Sequence, residues 1–154
     1  MYSILFVCTG NQFRSPIAAE AFREQLLHDG RAAQWHVYSA GTWTSTGRKA
    51  LPEALNLAKA FGLNIEGHAT RGLEAGILDQ ADLILVMEAG HKESIRVEFP
   101  FTRNKLYLLA EVIEGMDYDI PDPAASMDEA REIIRELVEM IRKGAGRIYR
   151  LVEK

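Results

Sequence analysis

Apolar residues along this chain fall into short unbroken runs separated by stretches in which they recur at helical spacing. Tyr2–Val7 is a nearly continuous apolar run, as expected of a strand covered on both faces, and Asp82–Met87 is a second. Trp35–Ser39 alternates in the manner of a half-buried strand, and Lys105–Leu109 is the last strand predicted. Helical patterns lie between them: Pro16–His28, ending near Gly30; Leu51–Phe61, stopping at Gly62; a short helix from about Glu74 to Asp79; and one around His91–Glu98. Met127–Lys143 places Ile133, Ile134, Leu137, Val138 and Ile141 on one face, and Gly144 and Gly146 are expected to interrupt it, leaving Arg147–Val152 open. Alternation of strands with helices predicts an α/β fold. The expected form is a three-layer αβα sandwich around a four-stranded parallel sheet, in one domain spanning residues 1–154. A Gly/Thr/Ser-rich loop from Ala40 to Lys49 is the longest polar connection.

In sheets of this kind ligands bind beyond the carboxyl ends of the strands, and the first strand ends at the only cysteine, Cys8. The chain then turns through Thr9, Gly10, Asn11, Gln12 and Phe13 to Arg14 and Ser15, and helical sequence starts at Pro16. A loop between a strand end and a helix start can aim successive backbone N–H groups at one point, and the helix terminus adds partial positive charge. The same field favours a thiolate, which predicts Cys8 as a nucleophile. Arg14 carries a planar fork of donors that matches two oxygens of a phosphoryl group. The competing reading is a small, inert cysteine at a strand end, with Arg14 on a solvated helix start.

A second feature lies far along the chain. Asp122 stands between Pro121 and Pro123, which disfavour helix on both sides and hold the carboxyl on a stiff loop. A cysteine nucleophile working on a phosphate ester needs a general acid for the leaving oxygen, and Asp122 can supply it. The alternative is an aspartate that caps the following turn. The acid has to start protonated, which predicts best activity on the acidic side of neutral, with Asp117 and Asp119 assisting by like-charge repulsion.

Over nearly its whole length the chain resembles the low-molecular-weight protein tyrosine phosphatase family. The resemblance rests on Val7-Cys8-Thr9-Gly10-Asn11-Gln12-Phe13-Arg14-Ser15-Pro16 and on Asp122-Pro123. Ser39-Ala40-Gly41-Thr42, Gly47-Arg48, His68-Ala69-Thr70-Arg71 and Ala81–Met87 lie between them in the family's order. It implies a phosphomonoester hydrolase working through a cysteinyl-phosphate, with Cys8, Arg14 and Asp122 catalytic and Thr9 to Phe13 plus Ser15 forming the phosphate-binding loop. It further implies that the Ser15 hydroxyl bonds the Cys8 sulfur, that Asn11 holds a strained turn, and that His68 braces Asn11. Thioredoxin-coupled arsenate reductases share the scaffold, so the likeness alone does not fix the substrate.

Four positions depart from the family pattern. Ala124 and Ala125 follow Asp122-Pro123 where tyrosine phosphatases usually carry aromatic residues that wall the phenyl slot, which leaves Trp43 as a candidate pocket wall. Gln12 stands where the family has an apolar residue or, in bacterial phosphoarginine phosphatases, a threonine. Phe13 replaces the second cysteine that rescues the nucleophile in many relatives, so oxidation of Cys8 is expected to run past sulfenic acid. Protein tyrosine phosphatase is the leading expectation, and protein arginine phosphatase or another phosphomonoesterase is the alternative. A thiol-coupled arsenate reductase and a non-catalytic phosphate-binding module rank lower.

The remaining composition narrows partners. With 154 residues, 47% hydrophobic, the chain can bury a substantial core. A net charge of −4 offers no basic field for nucleic acid. No stretch approaches membrane-spanning length, and the first apolar run is too short for a secretory leader. One cysteine cannot form an internal disulfide, which suits the cytoplasm. Four histidines without paired spacing argue against a metal site, and no glycine–lysine phosphate loop is present. The expected partner is a phosphorylated protein or peptide, with no cofactor.

Overall fold

Four parallel strands, β1 (Tyr2–Cys8), β2 (Trp35–Gly41), β3 (Leu83–Val86) and β4 (Leu106–Leu108), form one sheet in the order β2-β1-β3-β4. This computed structural model describes residues 1–153. Six α-helices join and cover the strands: α1 (Arg14–His28), α2 (Pro52–Ala60), α3 (Ala75–Gln80), α4 (Ala89–Glu98), α5 (Leu109–Glu114) and α6 (Met127–Val152). Ile4, Leu5, Phe6 and Val7 of β1 are wholly buried because the alternating side chains face two cores. Ile4 and Phe6 pack with Phe22 of α1 and Leu137, Ile141 and Ile148 of α6. Leu5 and Val7 pack on the other side with Ile77 and Leu78 of α3 and Ile95 of α4. The sequence-predicted three-layer αβα sandwich with a four-stranded parallel sheet is therefore the observed fold. Among the described residues no helix is long and apolar enough to cross a membrane.

Several boundaries differ from the sequence reading. The fourth strand stops at Leu108, and Leu109 opens α5, a helix the apolar pattern concealed. An apolar run this short cannot distinguish a strand from a buried helical turn, and the Leu109, Ala110 and Ile113 side chains all reach the core. Gly144 and Gly146 do not interrupt α6, which runs unbroken for 26 residues to Val152. Gly144 is a packing site: a Cβ there would stand 2.4 Å from Ile113 Cγ2, so the missing side chain lets α6 approach α5. Burial of Ile148 and Tyr149 one turn further on offsets the weak helix propensity of the two glycines. The first helix begins two residues before Pro16, at Arg14, while β2 continues past Ser39 to Gly41.

The extension of β2 matters for the site. Gly41 pairs in register with Cys8, and a Cβ on it would meet the Thr9 carbonyl oxygen at 2.6 Å and the Asn11 Cβ at 3.1 Å. Gly41→Ala is therefore expected to destabilise the protein by about 1–3 kcal/mol in urea unfolding, because backbone rather than a flexible side chain must yield. Gly76→Ala, which enters open space, serves as the control and should not destabilise.

Candidate active site

From β1 the chain passes one way to β2 and later returns to the other side as β3, so the connections diverge at the carboxyl end of β1. That divergence opens the crevice in which such sheets bind ligands, and Cys8 stands there, 2% exposed. The turn after it needs one residue in left-handed geometry, and Asn11 adopts it at φ 58°, the only non-glycine residue with positive φ among those described.

Four hydrogen bonds hold Asn11 in that conformation. Its Nδ2 donates to Ser15 Oγ at 2.8 Å and to Ser39 Oγ at 2.9 Å, and its Oδ1 accepts the Arg71 N–H at 2.9 Å. Its carbonyl oxygen accepts from His68 Nε2 at 2.6 Å, which places the imidazole proton on that nitrogen. Burial is the main cause holding the His68 pKa below its usual value, with Arg23 acting the same way against the Asn11 carbonyl. Because Ser15 Oγ already accepts from Asn11, its own proton is free to donate to Cys8 Sγ, 3.0 Å away.

The N–H groups of Gly10 through Ser15 have no protein acceptor among the described residues. They form the unsatisfied start of α1 together with the turn before it, donors of the kind that receive an oxyanion. Gln12 and Phe13 anchor this loop. Gln12 donates its side-chain amide to the Lys49 carbonyl at 2.9 Å and accepts the Leu51 N–H on its own carbonyl at 3.1 Å. The Gln12 amide nitrogen is thus committed within the protein. Phe13 is buried in the α1–α6 core.

Arg14 is 2% exposed, and its Nη1 donates to Glu88 Oε2 at 2.5 Å and to the Ile120 carbonyl at 2.6 Å. Burying a guanidinium requires such pairing. The donors on Nε and Nη2 have no protein partner among the described residues, which leaves one edge of the fork for two ligand oxygens. Ile120 is itself fixed, its N–H donating to the Met87 carbonyl at 2.8 Å. Two residues further, Asp122 is exposed and its Oδ1 accepts the Ala124 N–H at 3.0 Å, the turn-capping contact the sequence offered as an alternative role. Asp119 accepts the Ala89 N–H at 2.8 Å, at the start of α4. Trp43 is 86% exposed, and its backbone N–H donates to the Thr9 carbonyl at 3.0 Å, so the ring stands on a segment tied to the loop.

The fold brings the expected Cys8, Asn11, Ser15 and His68 into one hydrogen-bonded cluster, with Thr9 and Gly10 in the same loop and Arg14 at the start of α1. The sequence reading missed Glu88 and His91, which support the loop from α4. Glu88 lies just past the carboxyl end of β3 and His91 in the first turn of α4, the same kind of strand-end position that Cys8 has on β1. No group of three or more His, Cys, Asp or Glu side chains among the described residues is arranged to hold a metal ion.

Comparison with known proteins gives the same family at every level. A family model described as low molecular weight phosphotyrosine protein phosphatase matches residues 3–154. The chain is 33% identical over 150 residues to a protein-arginine-phosphatase of Bacillus subtilis, covering 91% of this chain and 97% of that one. To the low molecular weight protein-tyrosine-phosphatase Etp of Escherichia coli it is 35% identical over 137 residues, covering 89% and 87%. Among solved structures, a mutant of the YwlE arginine phosphatase with a phosphorylated active-site serine matches with a TM-score of 0.89 at 32% identity, over 97% of this chain and 99% of that one.

Proposed function

This chain belongs to the low molecular weight phosphotyrosine protein phosphatase family, and we propose that residues 1–154 act as one cysteine-dependent phosphatase domain on phosphorylated proteins, with phosphotyrosine as the leading substrate. The observation that carries this is Cys8 Sγ held 3.0 Å from a donating Ser15 hydroxyl inside a row of unpaired loop amides. The Cys8 thiolate attacks phosphorus, the S–P bond forms, and the bond from phosphorus to the leaving oxygen breaks. Loop amides and the free edge of Arg14 hold the equatorial oxygens, where charge concentrates in the transition state. Asp122 donates its proton to the leaving oxygen. As the carboxylate it then takes a proton from water, whose oxygen displaces sulfur from the cysteinyl-phosphate and releases phosphate. The relative carrying a phosphorylated active-site serine supports an enzyme-bound phosphoryl intermediate. No cofactor takes part in these steps. The protein works in the cytoplasm, in keeping with its single free cysteine.

Phosphoarginine is the second reading, and a specific observation favours it. Ala124 and Ala125 are exposed beside Asp122 and offer no aromatic wall, while a relative spanning 91% of the chain is a protein-arginine-phosphatase. Trp43 is then the ring assigned to stack on a phenyl group, being exposed and carried on a segment whose backbone N–H bonds the Thr9 carbonyl. Hydrolysis of matched phosphotyrosine, phosphoserine and phosphoarginine peptides decides between them. A phosphotyrosine enzyme should lose about fivefold in kcat/KM for that peptide alone on Trp43→Ala, since stacking contributes roughly 1 kcal/mol. Preference for phosphoarginine, unchanged by Trp43→Ala, gives the substrate to the second reading.

A further inference from the structure

His91 belongs to α4, outside the nucleophile loop, yet it is only 6% exposed and both ring nitrogens are engaged on the site. Nδ1 lies 3.2 Å from the Glu88 backbone nitrogen, and a backbone N–H can only donate, so Nδ1 is bare. The ring proton is then on Nε2, which donates to Thr9 Oγ1 at 2.8 Å. Thr9 accepts that bond, adjoins Cys8, and keeps its own hydroxyl proton. Glu88 in turn holds Arg14 Nη1 at 2.5 Å. One neutral imidazole thus ties the residue after the nucleophile to the backbone of Glu88, whose carboxylate holds the clamp.

We propose that His91 is a positioning residue of this site, whose neutral ring fixes the oxyanion loop through Thr9 and the Arg14 clamp through Glu88 in one mutual arrangement. The inference rests on reading the site as a phosphoryl-transfer site. A proton added at Nδ1 removes the acceptor from the Glu88 N–H. It also makes the ring a cation 3.8 Å from Glu88 Oε2, where it competes with Arg14 for the same carboxylate. The charged groups facing the ring are Glu88, Arg14 and Asp119. Burial first, and then Arg14, hold the imidazole pKa below its ordinary value against the pull of Glu88 and Asp119. The neutral ring therefore persists to lower pH than an ordinary imidazole would, and the arrangement is lost once the ring takes a second proton.

Two variants each preserve one of the two bonds. Asn at this position carries an oxygen near the place of Nδ1 and keeps an acceptor for the Glu88 N–H but loses the donor to Thr9. Gln reaches the place of Nε2 and keeps that donor but loses the acceptor. Both His91→Asn and His91→Gln are expected to lower kcat/KM for para-nitrophenyl phosphate by about tenfold to a hundredfold, the scale of a small misplacement of reacting groups. Both should also flatten the acid limb of the kcat/KM profile by up to one proton relative to wild type. Affinity for inorganic phosphate, read by calorimetry on the same proteins, should fall about tenfold, and this readout stands even for an enzyme that hydrolyses nothing. Folded variants with wild-type phosphate affinity and a superimposable acid limb overturn the proposal. Should both variants fail to fold, the nitrogen-15 shifts of the wild-type ring at neutral pH decide: a protonated Nε2 with a bare Nδ1 supports it, and the opposite tautomer or a cationic ring overturns it. Failure of wild type to hydrolyse the ester while binding phosphate normally counts against the hydrolase reading alone.

Discussion

Cys8→Ser is expected to abolish hydrolysis of para-nitrophenyl phosphate, by roughly 10⁴-fold or more, while leaving the fold and phosphate binding in place. The side chain is buried and the replacement is close to isosteric, so neither β1 nor the loop has cause to move. What changes is the nucleophile. Sulfur attacks phosphorus far more readily than an alcohol oxygen, while the Ser15 hydroxyl, the loop amides and the start of α1 surround either atom alike. The cradle that binds the phosphoryl oxygens does not depend on sulfur, so the variant should still titrate with inorganic phosphate. Measurement from acidic to neutral pH with chelator present separates this from a metal-dependent contaminant. Full turnover by the variant would place the nucleophile elsewhere and end the cysteine phosphatase reading. Absence of turnover in both proteins, with Cys8 verifiably reduced, would leave a phosphate-binding module.

Local chemistry made much of this site legible in the sequence. Cys8, Arg14 and Ser15 share one loop, so their spacing alone predicts that they meet, and the glycine and asparagine between them predict a turn with left-handed geometry. Asn11 does occupy that geometry. β1 and β3 were legible as nearly continuous apolar runs of the kind a sheet covered on both faces buries, set between helical patterns. Features that depend on distant packing were not. Gly144 reads as a helix breaker until Ile113 is seen to need its space, and α5 reads as the tail of a strand until its apolar side chains are placed. Glu88 is one carboxylate among the 22 Asp and Glu residues of the chain, and nothing near it in sequence says that it pairs with Arg14, 74 positions away. Gln12 shows the same limit: its type suggests a substrate contact or solvent, and only the fold reveals the Lys49 carbonyl that takes its amide.

Asp122 is where sequence and geometry leave two roles for one side chain, and a pair of substitutions separates them. Its Oδ1 accepts the Ala124 N–H and so orders the short turn at Pro123–Ala125, a task that needs an acceptor but no ionisable group. Acting as general acid needs a proton on the carboxyl. Its placement favours that second task, since the segment is fastened to the site two residues earlier, where the Ile120 carbonyl binds Arg14 and the Ile120 N–H binds Met87. The flanking Pro121 and Pro123 keep the carboxyl from swinging away. Asp122→Asn retains an oxygen acceptor for the turn and removes the acid, whereas Asp122→Ala removes both. Both variants are therefore expected to lose about 10²–10⁴ in kcat for a phenyl or alkyl phosphate, whose leaving oxygen needs protonation. The loss should shrink for para-nitrophenyl phosphate, which departs as a stable anion, and the acidic bias of the rate profile should disappear with the proton donor. Only the alanine variant should also lose stability, by about 0.5–2 kcal/mol, the scale of a lost cap. Wild-type rates on a poor leaving group in Asp122→Asn would make the residue a turn cap and nothing more, and the proton for the leaving oxygen would then have to come from another group near the Arg14 clamp.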